Sequence, residues 1–401
     1  MNRVLRHILL LASVAWLFVL SACNSSNDAV AFMDGDESVD ASGNLSGGDG
    51  MVTLVLNTEI VGSTRAGVTG VPDNEKMKTL RIVILHPDGT VEHNRFIDFG
   101  RVLTEYSTQI FKVRKSEKKT IYLLANEGSV GGLPNLDAYG TGTAGFKAAV
   151  DDFDFVPAFI QDTPIPMSSV YEIETGAGND RIERQFYLVR AATKFTFRFT
   201  NLWSYDMKVT ELKVNSIADR MYLMPHKQNP GTPLQFLEND GSTTTHYWVD
   251  WLKKVSDETQ QYPDDKTLAD WRGWISDYDI PGTTTHAAKD ITPASFTVPK
   301  YSNGTPGEAE FYLYLPESKN LIKAAEPYGE QAYTMDFTFT YTQRNRTYTK
   351  KFSGKAFDNL RALFRNTHVV VDVELIQGNT ITLTYTVCPW LEYTIDIPSF
   401  E

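Results

Sequence analysis

The sequence predicts a mostly β protein, two β-rich domains behind an N-terminal leader, and three observations carry that expectation. The chain has 401 residues, too many for one small domain and enough to bury a large core. Aromatic and β-branched residues fall in short alternating runs, such as Phe195, Phe197 and Phe199, between clusters of Gly, Pro, Asn and Asp. No repeat of fixed period is visible, which argues against a solenoid or a propeller.

The leader speaks to compartment. Arg3 and Arg6 give a basic start, Ile8 to Leu20 is an apolar run, and Leu20-Ser21-Ala22-Cys23 stands where a signal peptide is cut. This pattern is a lipobox, so 1–22 is expected to be a lipoprotein signal peptide and Cys23 the lipidated residue. An ordinary signal peptide or a short membrane anchor is the competing reading, but the run is short for a span of about 20 residues. With Cys23 consumed, only Cys388 remains; no intrachain disulfide is expected, and Cys388 reads as a small buried apolar residue. Residues 23–50 are mostly Ser, Asn, Asp and Gly, a composition that cannot offset the entropy of ordering and predicts a flexible tether.

The first strand is expected at Met51 to Glu59, where Val52, Leu54 and Leu56 alternate with Thr53 and Asn57. Gly62 to Gly67 follows, a small-residue stretch carrying Arg65, of the kind that proteases nick and suited to a trypsin-like enzyme. Leu80 to Leu85 and Val91 to Phe96 flank His86-Pro87-Asp88-Gly89 and predict a hairpin. Thr120 to Asn126 reads as a further strand and Ala144 to Asp154 as the place for a short helix. The first domain is expected to close near Arg190, giving 66–190, with a second over 191–380. Phe195 to Phe199, Lys208 to Val214, Phe311 to Leu315, Tyr333 to Thr342 and Val369 to Leu375 supply its strands.

Within that second domain, 222–295 is rich in aromatics, Thr, Gly and Pro and reads as a long elaboration. Trp248, Trp251, Trp271 and Trp274 are its candidate ligand contacts, since such rings stack on sugars or fill a partner's groove. The alternative is a satellite core beneath the loop, because long loops usually pack on their own side chains.

The C-terminal segment, 381–401, carries two alternating runs: Ile381, Leu383, Tyr385 and Val387, then Leu391, Tyr393, Ile395 and Ile397, with Pro389 marking a break between them. Both are read either as final strands of the second domain or, for the terminal one, as a strand that projects to complete the sheet of the next molecule. Four such side chains entering a groove would contribute on the order of 6–12 kcal/mol before ordering costs. An empty groove is needed, and removal of 51–65 would provide one.

Several segments in order resemble the type V pilins, the fimbrillins of Bacteroidales: Leu20 to Cys23, Val52 to Thr58 followed by Ser63 to Ala66, Lys78 to Ile84, Thr120 to Asn126, Val189 to Phe195, Phe364 to His368, and Val387 to Trp390. The resemblance covers the chain apart from the Trp-rich elaboration. It implies two transthyretin-like β-sandwiches, lipid-dependent export to the outer membrane, and a cut between Arg65 and Ala66 by an arginine-specific or trypsin-like protease. Polymerisation with other fimbrial subunits, like or unlike, and adhesion to a host or bacterial surface ligand are further implications. Arg65 points to a polymerising subunit rather than an anchor, while the elaboration leaves a tip adhesin open.

Other classes find little support. The formal net charge of −12 disfavours nucleic acid, which demands clustered Lys and Arg. No HExxH, GxSxG, P-loop or EF-hand pattern occurs, and no catalytic residue, cofactor or metal is expected. The GxGxxG at Gly140, Gly142 and Gly145 has no apolar strand leading into it and reads as a flexible loop. His86 and His368 read as solvated or capping residues, and Asp151, Asp152 and Asp154 as a solvated face. The main rival is a monomeric surface glycan-binding lipoprotein, which needs neither Arg65 nor a free terminal strand; a glycoside hydrolase would need two carboxylates flanking a cleft.

Overall fold

The computed structural model describes residues 50–60, 71–159, 163–178, 181–226, 233–237, 243–247, 280–293, 296–319, 333–357, 360, 362–376 and 380–390. They are nearly all β. In the first half, β1 (Met51–Ile60), β2 (Met77–Leu85), β3 (Val91–Leu103), β4 (Glu105–Arg114), β5 (Glu117–Ala125), β6 (Asp154–Phe155), β7 (Met167–Thr175) and β8 (Arg181–Arg190) are joined by single 3-10 turns and, among the described residues, one short α-helix, α1 (Phe146–Val150). Seven of these strands run in the order β3-β2-β5-β7-β8-β1-β4. The path folds on itself where β7 and β8 share only Met167↔Arg190 and Ser168↔Val189, and one core lies between its legs.

Alternation explains that core. Leu80, Ile82 and Ile84 of β2 and Ile121, Leu123 and Ala125 of β5 meet Val52, Leu54 and Leu56 of β1 and Phe111 and Val113 of β4. The intervening Val83, Leu85, Tyr122 and Leu124 face the other way, onto Phe146 and Val150 of α1. Both faces of β2 and β5 are thus covered, which is why their sequences run nearly continuously apolar.

The β2–β3 hairpin forms at the expected place. Gly89 supplies a φ of 83°, and Asp88 Oδ1 accepts from the Thr90 amide at 2.9 Å. Gly140 to Gly145 is not the free loop its composition suggests: Gly142 N donates to Val91 O and Val91 N to Thr143 O, tying the turn to the start of β3.

The second half holds β9 (Thr193–Asn201), β10 (Met207–Ala218), β11 (Met221–Tyr222), β12 (Pro233–Leu237), β13 (Thr243–Tyr247), β14 (His286–Asp290), β15 (Thr297–Val298), β16 (Gly307–Leu315), β17 (Ser318–Lys319), β18 (Thr334–Gln343), β19 (Arg346–Ala356), β20 (Ala362–Leu363), β21 (Thr367–Ile376) and β22 (Thr380–Pro389). Two sheets, β14-β10-β18-β19 and β16-β9-β21-β22, close on a core of Phe195, Phe197, Phe199, Leu212, Phe337, Val369, Val371 and their neighbours. Of the elaboration, β12 and β13 pair as a hairpin, and β14 joins β10. Its opening residues belong to the first half: β11 pairs with β6, and Leu223 and Met224 enter the core beneath α1.

Arg365 ties the halves together. Fully buried, its guanidinium grips Glu317 through Nε at 2.8 Å and donates to the carbonyls of Leu223 and Tyr222. Five donors with fixed partners are what allow such a charge to be buried.

Candidate functional site

A strand that can be exchanged must be central, extended and connected through a severable segment, and β1 meets the first two conditions by its placement. It lies between β4, antiparallel from Met51↔Arg114 to Glu59↔Glu105, and β8, parallel from Thr53↔Arg181 to Ile60↔Leu188. Val52, Leu54 and Leu56, the residues singled out in the sequence, are at most 1% exposed and sit in the first core. With Ile60, also buried, their burial contributes on the order of 6–12 kcal/mol.

The two ends of β1 are not equivalent. From Val52 to Leu56 it is buried throughout and in register; between Leu56 and Thr58 the pairing with β4 shifts. There the buried Thr58 Oγ1 and, on β4, the buried Gln109 Oε1 have no hydrogen-bond partner among the described residues. Asn57 donates to Glu183 at 3.1 Å, and Glu59 accepts from Gln185 at 3.4 Å. An unpartnered buried polar group costs roughly 1–3 kcal/mol, so β1 is held least well at the end nearest Arg65.

At the other end of the chain, β22 pairs with β21 from Thr367↔Pro389 to Ile376↔Thr380 and forms the edge of its sheet. Ile381, Leu383 and Tyr385 pack on the second core. The described chain ends at Trp390, whose indole is 5% exposed beside Ile165, Ala192 and Tyr314. Its Nε1 donates to Glu75 Oε2 at 2.6 Å and its amide to Asn366 O at 2.9 Å. Glu75 Oε1 accepts from Lys194 at 2.7 Å and from Tyr314 at 2.9 Å. Burial would raise the Glu75 carboxyl, but Arg190 and Lys194, with the bonds from Lys194 and Trp390, outweigh it and hold it below its ordinary range.

Sequence reasoning missed Glu75, Arg190, Lys194 and Tyr314 as a group. The available signal was Arg190 and Lys194 bracketing Ala191-Ala192 between two strand runs, small residues where backbones come close. Cys23, Arg65, Ala66, the four tryptophans Trp248, Trp251, Trp271 and Trp274, and Leu391, Tyr393, Ile395 and Ile397 lie outside the described residues. The side chain of Cys388 does as well.

Two sequence expectations are corrected. His368 is neither solvated nor capping: it is buried in β21 on the face opposite Val369 and Val371, its Nε2 2.8 Å from Thr196 Oγ1 of the parallel neighbour β9. His86 stands in its turn, but its Nδ1 meets Glu117 at 2.8 Å. The three aspartates do not converge: Asp151 accepts from Tyr122, while Asp154 pairs with Arg220.

Burial pushes the His368 imidazole down to about 3 from an ordinary 6.5, so it is neutral when folded and takes up a proton on unfolding below that ordinary value. The unfolded state then binds more protons, and stability falls as pH drops from about 6.5 toward 3. His93, also lowered by burial, and Glu75 add slope of the same sign. Melting curves between those limits should show a loss of several kcal/mol, and His368→Gln should remove part of that slope; an unchanged slope in the variant would contradict the assignment.

No family model and no curated protein matches the chain. Among solved structures, a candidate cell adhesion protein from Parabacteroides distasonis is similar at 11% identity and a TM-score of 0.48, covering 85% of this chain and 98% of its own. The tip fimbrial protein Mfa3 from Porphyromonas gingivalis, with C-terminal truncation, is similar at 12% identity and a TM-score of 0.42, covering 85% and 100%. A fimbrilin from the same organism is similar at 12% and 0.40, covering 84% and 98%.

Proposed function

We propose that this chain is a structural subunit of a cell-surface fimbria with a role in adhesion, exported as a lipoprotein through Cys23, cut between Arg65 and Ala66, and polymerised by strand exchange. The observation that carries the reading is the position of β1: a buried central strand whose removal would open a slot ten residues long between β4 and β8. The segment joining it to the rest of the chain contains Arg65. Leu391, Tyr393, Ile395 and Ile397 repeat the two-residue spacing of Val52, Leu54 and Leu56, so the terminal run of one molecule has the pattern needed to refill the slot of another. Partners on this reading are other fimbrial subunits, the processing protease, the outer membrane before the cut, and a surface ligand.

Trypsin added to the purified precursor tests it. The first new N-terminus should be Ala66, the fragment carrying β1 should dissociate, and a ladder of multimers should grow on a gel in step with that loss. A first cut elsewhere with no ladder would remove the basis of the reading.

A further inference from the structure

We propose that Trp390 and Glu75 form a lock that fixes the base of the C-terminal segment to the junction of the two halves, so that each subunit presents its terminal strand from a rigid point. The proposal rests on the strand-exchange reading above and adds to it a positioning role for two residues.

The contacts are of four different kinds and converge on one residue. The indole N–H donates to Glu75 Oε2 at 2.6 Å, the ring stacks on Tyr314 at 5.4 Å with planes 10° apart, the Arg190 guanidinium lies 5.2 Å from the ring centre, and the Trp390 amide donates to Asn366 O. Glu75 is fixed independently. Lys194 and Tyr314 occupy its other oxygen, and its backbone carbonyl accepts from Arg190 Nε at 3.0 Å. Glu75 precedes β2 of the first half, whereas Tyr314 and Asn366 belong to the second. The lock therefore bridges both halves at the residue just before Leu391.

Its position has a mechanical consequence. β22 is an edge strand with β21 as its ladder partner, and an edge strand pulled at its C-terminal end opens one pair at a time, beginning with Thr367↔Pro389. A terminal strand inserted in a neighbour would pull at that point. Trp390 lies between the load and the ladder, so tension passes into Glu75, Arg190 and Asn366 before any β22 bond is loaded. A fixed base also limits the directions in which the terminal strand leaves, which lowers the ordering cost when it enters a slot.

Two variants of the cleaved protein test this. Inserting Gly-Gly between Trp390 and Leu391 breaks none of these contacts and leaves the terminal run intact; Trp390→Phe keeps a ring for stacking and loses the N–H to Glu75. Three readouts are compared: melting of the monomer, binding of a free peptide of residues 391–401 to the cleaved body, and the rate and bending stiffness of fibres. The insertion should leave melting and peptide binding at wild-type values while slowing polymerisation by about fivefold or more and giving visibly more flexible fibres. Trp390→Phe fibres should come apart under lower pulling force. Fibres of wild-type rate, stiffness and strength from both variants overturn the lock. Failure of the peptide to bind the wild-type cleaved body overturns strand exchange itself, and the lock's role with it.

Discussion

The Arg65→Ala precursor should reach the surface folded and fail to make fibres. While the chain is whole, β1 stays covalently joined to the body through the segment that contains Arg65, and such an intramolecular strand meets its own slot at an effective concentration in the millimolar range. A terminal strand from another subunit at micromolar concentration competes at roughly a thousandfold disadvantage, about 4 kcal/mol, before any difference in fit. Cutting after Arg65 removes the handicap at the end where β1 is held least well, beside the register shift and the unpartnered Thr58 Oγ1 and Gln109 Oε1. Electron micrographs of cells carrying the variant should show none of the fibres present on wild-type cells, with uncut precursor accumulating. Fibres in normal number would mean that β1 need not leave.

What the sequence made legible was local. The β2–β3 hairpin could be read because Asp88 and Gly89 determine their own turn, and the strands of both cores because alternation marks which side chains are buried. β1 was legible as a strand but not as a central one: its neighbours, 105–114 and 181–190, are far along the chain, and nothing local encodes that pairing. Glu75 was invisible for a similar reason. Among Asp73, Asn74 and Lys76 it reads as surface, and its burial is created by Tyr314 and Trp390, more than two hundred residues away. His368 was legible as a strand-start residue but not as a buried one, because its partner Thr196 lies 172 residues away. Buried polar residues are chosen by their partners, and partners distant in sequence leave no periodic trace.

Deleting Leu391 to Glu401 should give a folded, cleavable monomer that cannot extend a fibre. Every contact described for β22 ends at Pro389, and the junction is closed by Trp390, so the truncated chain keeps both cores and the Glu75 lock. Its melting should match the full chain within about 0.5 kcal/mol, the usual range for changes away from packed features. Truncation at Thr380 should behave differently. It removes Ile381, Leu383 and Tyr385 from the second core and strips the ladder from β21, and losses of about 2–5 kcal/mol for each large buried side chain exceed what a marginally stable fold can absorb. A point change separates joint from fold more finely: Ile395→Asp places a carboxylate where a neighbour's core would be, costing several kcal/mol at the joint and nothing in the monomer. Cleaved Ile395→Asp should therefore stay monomeric on a sizing column while melting like wild type. If the 391–401 deletion instead aggregates or loses its cooperative transition, the terminal run is an ordinary strand of its own subunit, and exchange as drawn here does not occur.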